Sequence, residues 1–247
     1  MREFTAYPKL RKYLKAQPCW QPTHILAMGK AAYRMAEIAA QSLPANMLKS
    51  TLILTKYGCF PPPESRKSSF PILEAGHPIP DANSLKHSAF ILNWLEQIPP
   101  EEELIVLISG GSSALFEIPA AGCSLQDLID LNSLLLKSGL DISQINAKRK
   151  SLSQVKGGQA ARHFHGRAMR VFALSDVPGN DFATIGSGPF YQPQVSNHYL
   201  IADNQAWLKV LARHFKRQFP DYPIRISPRF ISADAESFAQ ALAHYGR

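Results

Sequence analysis

Four short segments concentrate residue types that handle anions. In M-G-K-A-A, Met28 to Ala32, a glycine that lets the backbone approach closely stands beside Lys30 at the start of an apolar-periodic stretch. It is not a P-loop, since G-x-x-x-x-G-K-[ST] would need glycine at His24 and Ser or Thr at Ala31. Alone it reads more simply as a surface lysine in a turn. In I-S-G-G-S-S-A-L, Ile108 to Leu115, two consecutive glycines open backbone conformations closed to other residues. The N–H groups of Gly110, Gly111, Ser112 and Ser113 and the hydroxyls of Ser109, Ser112 and Ser113 can surround an oxyanion there. A nucleophilic serine is disfavoured because the pattern is not G-x-S-x-G and no His–Asp pair is evident nearby. A structural tight turn is the alternative.

The third segment, Ile145 to Gly158, places Asn146, Arg149 and Lys150 on one face of a helical path, two cations beside an amide, with Lys156 further on. The fourth, A-L-S-D-V-P-G-N-D from Ala173 to Asp181, is followed by I-G-S-G-P at Ile185 to Pro189. Asp176 and Asp181 form an acidic pair able to orient a hydroxyl or hold water around Mg²⁺, or else to cap turns. His77, in A-G-H-P-I-P-D, is a further candidate in a loop that its prolines stiffen first.

What must position these segments is an alternation of strands and helices. The apolar run His24 to Met28 predicts a strand feeding a helix with Ala32, Met35, Ala36, Ala39 and Leu43 on one face. Strands are expected at Thr51 to Thr55 and Pro71 to Glu74, then a helix from about Ser84 to Glu96. After Glu103, the run LIVLIS is continuous enough for a strand covered on both faces of a parallel sheet. Ser124 stands three residues before Asp127, a capping-box start for a helix whose Leu128, Leu131 and Leu135 share a face and which Gly139 ends. A helical stretch over Ser143 to Phe164, broken at Gly157-Gly158, leads to a second buried strand at Arg170 to Leu174. Beyond it lie a helix over Asn204 to Phe219, a strand over Ile224 to Ser227 and a helix from Ser232. The expectation is a single α/β domain over residues 1–247, an open, doubly wound, mostly parallel sheet flanked by helices. Ligands then bind beyond the carboxyl ends of the strands, with the loops after Met28, Ile108 and Leu174 on one edge.

Composition narrows the classes. The formal charge of +8 is concentrated: between Asp141 and Asp176 stand seven Lys or Arg residues and no acid. Such a block attracts anions, or is a solvated basic face. Between Lys148 and Arg170 the one Phe, Tyr or Trp is Phe164, so a base-stacking platform, and nucleic acid as a partner, is disfavoured. No apolar run approaches a membrane span and Met1 to Leu10 lacks a signal-peptide core, which points away from membranes and to the cytoplasm. Cys19, Cys59 and Cys123 are too scattered for a zinc site or a disulfide framework.

In this order, G-K-A-A, A-G-H-P-I-P-D, L-I-S-G-G-S-S-A-L, I-N-A-K-R-K-S-L-S-Q-V-K-G-G and S-D-V-P-G-N-D with S-G-P resemble the glycerate kinase type 2 family. Its members are often labelled hydroxypyruvate reductase, although no G-x-G-x-x-G fingerprint follows any strand expected here. The resemblance implies a Rossmann-like first domain, a second MOFRL domain and an active site in the cleft between them. It implies ATP- and Mg²⁺-dependent transfer of a phosphoryl group to the 2-hydroxyl of D-glycerate, giving 2-phosphoglycerate. By position, Lys30, Asp176 and Asp181 are the implied catalytic residues, the two aspartates also metal ligands. Ser109, Gly110, Gly111, Ser112, Ser113, Asn146, Arg149 and Lys156 are the implied substrate and phosphate ligands. The family pattern reads Asp-Asp where Asn180-Asp181 stands here, and its second domain is expected to be missing after Arg247. Little turnover is therefore expected of the chain alone. The alternative is an inactive organic-acid-binding remnant or regulatory domain. A separately encoded second domain and a second copy, as a homodimer, are the protein partners left open.

Overall fold

A computed structural model describes residues 6–17, 21–66, 69–137, 148–227 and 235–245. Its centre is a six-stranded, wholly parallel sheet of β1 (Thr23–Met28), β2 (Leu48–Lys56), β3 (Ile72–Ala75), β4 (Glu103–Ile108), β5 (Ala168–Leu174) and β6 (His198–Ala202). The order β3-β2-β1-β4-β5-β6 is that of a doubly wound sheet, with its switch point between β1 and β4. Both central strands are apolar on successive residues because each face meets a different layer. Leu26, Met28, Leu104 and Val106 join one core cluster, whereas Ile25, Ala27, Ile105 and Leu107 join the other. On the second face lie α1 (Ala6–Ala16), through Leu10 and Leu14, and α2 (Ala32–Ala40), through Met35, Ala36 and Ala39. On the first lie α3 (Ala82–Glu96), through Ile91 and Leu95, and the stacked rings of Phe116 and Phe190.

Local signals place most boundaries. Asp81 caps α3, its carboxylate accepting from Ser84 N–H while Asp81 N–H donates to Ser84 Oγ, so the helix starts at Ala82 rather than Ser84. A similar reciprocal pair between Ser124 and Asp127 opens α5 (Leu125–Lys137), which follows the single-turn α4 (Ser112–Leu115). Gly139 lies outside the described residues. Three expectations differ from the structure. Within residues 148–164, α-helix occupies only 148–151, and Ala160–His163 is a 3₁₀ turn. Strand β6 was not anticipated. Residues 224–227 form no strand, having no strand among the described residues of their own unit to pair with.

The chain divides into two compact units, one to Trp207 and one from Leu208. Helix α6 (Asn204–Gln218) spans that division, and α7 (Ala235–Tyr245) belongs to the second unit. Among the described residues no helix is long and apolar enough to cross a membrane. For the site, the decisive feature is register: Met28 pairs with Leu54 on one side and Ile108 on the other, and Ile108 with Ala173. The strands end level, and the loops after β1, β4 and β5 leave from one edge.

Candidate functional site

The first two segments interlock at the switch point. Lys30 N–H donates to Gly110 O at 3.0 Å, and Ala31 N–H to Ser109 Oγ at 3.1 Å. Ser109 Oγ itself donates to Met28 O at 3.2 Å. The turns approach so closely that a Cβ on Gly29 would sit 2.4 Å from the carbonyl oxygen of Ser109. The Ser109 hydroxyl is thus spent on the scaffold.

Three side chains converge on the two glycines that follow. A Cβ on Gly110 would lie 2.4 Å from Asp176 Oδ2. A Cβ on Gly111, whose φ of +91° already excludes most side chains, would lie 2.9 Å from the His77 ring and 3.2 Å from Lys30 Cε. Loops beyond β1, β3, β4 and β5 therefore supply an ammonium, an imidazole, two open peptide units and a carboxylate around one concavity. Among the described residues, the N–H groups of Gly110 and Gly111, the Lys30 ammonium and the Asp176 carboxylate make no hydrogen bond or ion pair. Burial, then the nearby Lys30 and Lys56 cations, hold the His77 imidazole below its ordinary pKa, with Asp176 pulling weakly the other way. His77 is accordingly neutral at physiological pH.

The remaining expected site residues fall elsewhere or serve the frame. Ser113 Oγ and Ser187 Oγ share a hydrogen bond at 2.9 Å. Ser112 Oγ is buried against Gly186 with no partner among the described residues. The 157–158 glycines dock their N–H groups on Ser187 O and Gly188 O, at 2.9 and 2.7 Å, tying the third segment to the fourth. Asp181 turns both oxygens onto its own loop, accepting from Ala183 N–H at 3.0 Å and Thr184 Oγ1 at 3.1 Å. Lys156 is buried against the equally buried Glu117. Burial pushes its ammonium down to about 7, against the pull of the adjoining carboxylate. Arg149 is half-buried, its guanidinium lowered by desolvation, with Nε lacking a partner among the described residues. Asn146 lies outside the described residues.

Glu117 had no motif to announce it. Its signal is an acid inside an apolar stretch just after the glycine turn, where Ser153 Oγ donates to Oε1 at 2.5 Å and Ile118 N–H at 3.1 Å. Among the described residues, no three His, Cys, Asp or Glu side chains cluster around a metal position. A magnesium ion needs less, since one carboxylate with phosphate oxygens and waters suffices, and the exposed, uncommitted Asp176 fits that part. The open glycine cradle with Lys30 fits phosphate oxygens.

Fold and site together define a doubly wound α/β domain with an anion cradle at its topological switch point. A family model described as a domain of unknown function (DUF4147) matches residues 5–214, and the chain belongs to that family, that of the type 2 glycerate kinases. It is 42% identical over 165 residues to the D-glycerate 2-kinase of Thermotoga maritima, an alignment covering 67% of this chain and 39% of that one. With the glycerate 2-kinase of Pyrococcus horikoshii it shares 40% identity over 166 residues, covering 67% and 36%. The crystal structure of the Thermotoga maritima glycerate kinase superposes with a TM-score of 0.73 at 31% identity, covering 87% of this chain and 59% of that one. The chain thus spans well under two thirds of the length of these relatives.

Proposed function

We propose that this chain supplies one wall of a D-glycerate 2-kinase site, binding the anionic ends of D-glycerate and of ATP with Mg²⁺ at the glycine cradle. The observation that carries this is the convergence of Lys30, His77 and Asp176 on Gly110-Gly111. Phosphoryl transfer asks little covalent chemistry of a protein; it needs positioning and stabilisation of charge on the transferred oxygens. Lys30 offers a point charge, the Gly110 and Gly111 N–H groups offer fixed donors, and the neutral His77 offers a hydrogen-bonding ring. Asp176 is the group that orients the 2-hydroxyl or holds Mg²⁺, which when bound would neutralise phosphate charge. Asp181 and Lys156, committed to the frame, have no direct part.

Because the aligned segment matches 39% of the Thermotoga maritima enzyme, the other wall of the cleft is expected from sequence of the kind that makes up the rest of that enzyme. Misplacement of bound groups by about 1 Å can cost on the order of 100-fold, so the 247 residues alone should turn over little. The test is calorimetry with D-glycerate and with tripolyphosphate, then a coupled kinase assay with and without the separately expressed second domain of a relative. Binding that Lys30→Ala and Asp176→Asn each weaken, with turnover in the mixture only, is the expected result. A well-folded chain that binds neither ligand overturns the cradle, and strong turnover by the chain alone overturns the shared cleft.

A further inference from the structure

A second concavity shares Lys30 with the cradle. It measures about 420 Å³, within the range of small-molecule sites, and is walled by Lys30, Tyr33 and Arg34 on one side and Cys59 and Pro61 on another, with Tyr7 of α1. These come from the turn after β1, the first turns of α2 and the loop after β2, so the cavity stands at the same carboxyl edge as the cradle, one strand over. The rings of Tyr7 and Tyr33, with Pro61, give it apolar walls suited to a flat ligand. Its charge is cationic, because Glu37, which also lines it, is neutralised by Arg34 at 2.6 Å, while Lys30 is unpaired among the described residues. Arg34 lies 5.9 Å from the centroid of the Tyr7 ring.

D-glycerate has no apolar part with which to fill such a space. A nucleoside triphosphate has a flat base at one end and a polyanion at the other, matching an apolar, aromatic-walled cavity joined to an anion cradle through one lysine. Resting on the kinase reading above, we infer that the cavity receives the base of the nucleotide whose phosphates lie on Gly110-Gly111, with Lys30 at the junction.

Cys59, a free and half-buried thiol that donates to Lys30 O at 3.4 Å, is a built-in reporter of occupancy. Its alkylation by N-ethylmaleimide is followed by peptide mass spectrometry on the full chain, with Cys123 as internal control. Ligands are held at saturation, as fixed by calorimetry. ATP should slow Cys59 alkylation about tenfold, tripolyphosphate by less than about twofold, and neither should change Cys123, because the base and not the phosphates covers the thiol. Pro61→Trp, which fills the cavity, should weaken ATP about tenfold and leave tripolyphosphate unchanged. Saturating ATP that leaves Cys59 as reactive as tripolyphosphate does, or equal protection by both, overturns the inference while the cradle stands. If neither anion binds, the kinase reading fails and adenosine decides: protection of Cys59 by adenosine keeps the cavity, and none overturns it.

Discussion

Removing the Lys156 ammonium is the sharpest probe of how this chain divides its cations between frame and function. Lys156 and Glu117 are 4% and 3% exposed, and Glu117 is held by Ser153 Oγ and Ile118 N–H as well as by the lysine. In Lys156→Met the carboxylate stays buried without its counter-ion, which costs about 3–5 kcal/mol, or a fall in Tm of about 6–20 °C for a chain of this size. Glu117→Gln keeps an acceptor for Ser153 but removes the carboxylate that favours the charged amine, so burial drives the pKa of the amine further below the value of about 7 it has in the starting protein. The unfolded lysine titrates near 10.5, so between about 7 and 10.5 the unfolded chain binds more protons and stability rises with pH. The starting protein shares that rise, but at pH 6 it gains a buried, paired ammonium that the variant cannot accommodate, so relative to it the variant should be less damaged at pH 8 than at pH 6. With both charges removed, Lys156→Met/Glu117→Gln should lie within about 1.5 kcal/mol of the starting protein. Urea unfolding of the four proteins, with tripolyphosphate affinity measured on each, checks this. A single-variant cost below about 1 kcal/mol, or strictly additive effects, would refute the structural ion pair. Anion affinity lost at unchanged stability would return Lys156 to the binding site that its motif implies.

Gly111→Ala and Gly122→Ala form a controlled pair, with φ of +91° and +82°. Each should cost about 1–2 kcal/mol of backbone strain by chemical denaturation, but only the Gly111 methyl meets His77 and Lys30, so only that variant should lose tripolyphosphate binding. Anion affinity should rise as pH falls through the depressed pKa of His77, because protonation adds a cation beside Gly111. The unliganded fold should lose stability over the same descent, since the unfolded imidazole takes its proton first, near 6.5. His77→Gln should flatten both profiles in calorimetry and thermal melts. Asp181→Ala should lower Tm by a few degrees through loss of its turn cap, about 1 kcal/mol, and leave anion affinity unchanged.

The central strands that carry the site were legible because they are buried on both faces and so read as nearly unbroken apolar runs, as LIVLI of β4 does. The Ser124–Asp127 capping pair was legible as a helix start, whereas the Asp81–Ser84 pair was missed and α3 begins two residues before the expected Ser84. Strand β6 escaped because HYLIA is half-buried at a sheet edge, where one covered flank demands little hydrophobicity. Residues 224–227 misled in the opposite sense: I-R-I-S alternates like a strand, but with no strand to pair with among the described residues of its own unit the ladder is unmade. In the site, the strand-end rule put the loops after Met28, Ile108 and Leu174 on one edge but did not bring in His77 from the loop after β3. Sequence does not show which polar atom a neighbour has already claimed: Ser109 serves the β1 and β4 turns, Asp181 its own loop and Lys156 an acid outside every motif.

The hydrogen bond from Ala31 N–H to Ser109 Oγ joins residues 78 apart in the chain, and the bond from Lys30 N–H to Gly110 O spans a similar interval. Neither half of the cradle can therefore be organised by its own neighbourhood. The two turns meet only once β1 and β4 have paired across the intervening β2, β3 and α3. The cradle is thus a product of long-range pairing, and the Lys30 and Ala31 amides that bridge its two turns should exchange with solvent only as fast as the central pair β1 and β4 separates, whereas the open Gly110 and Gly111 amides exchange freely. A chain whose helices have formed but whose β1 and β4 have not paired has no cradle, however strong its far-ultraviolet signal.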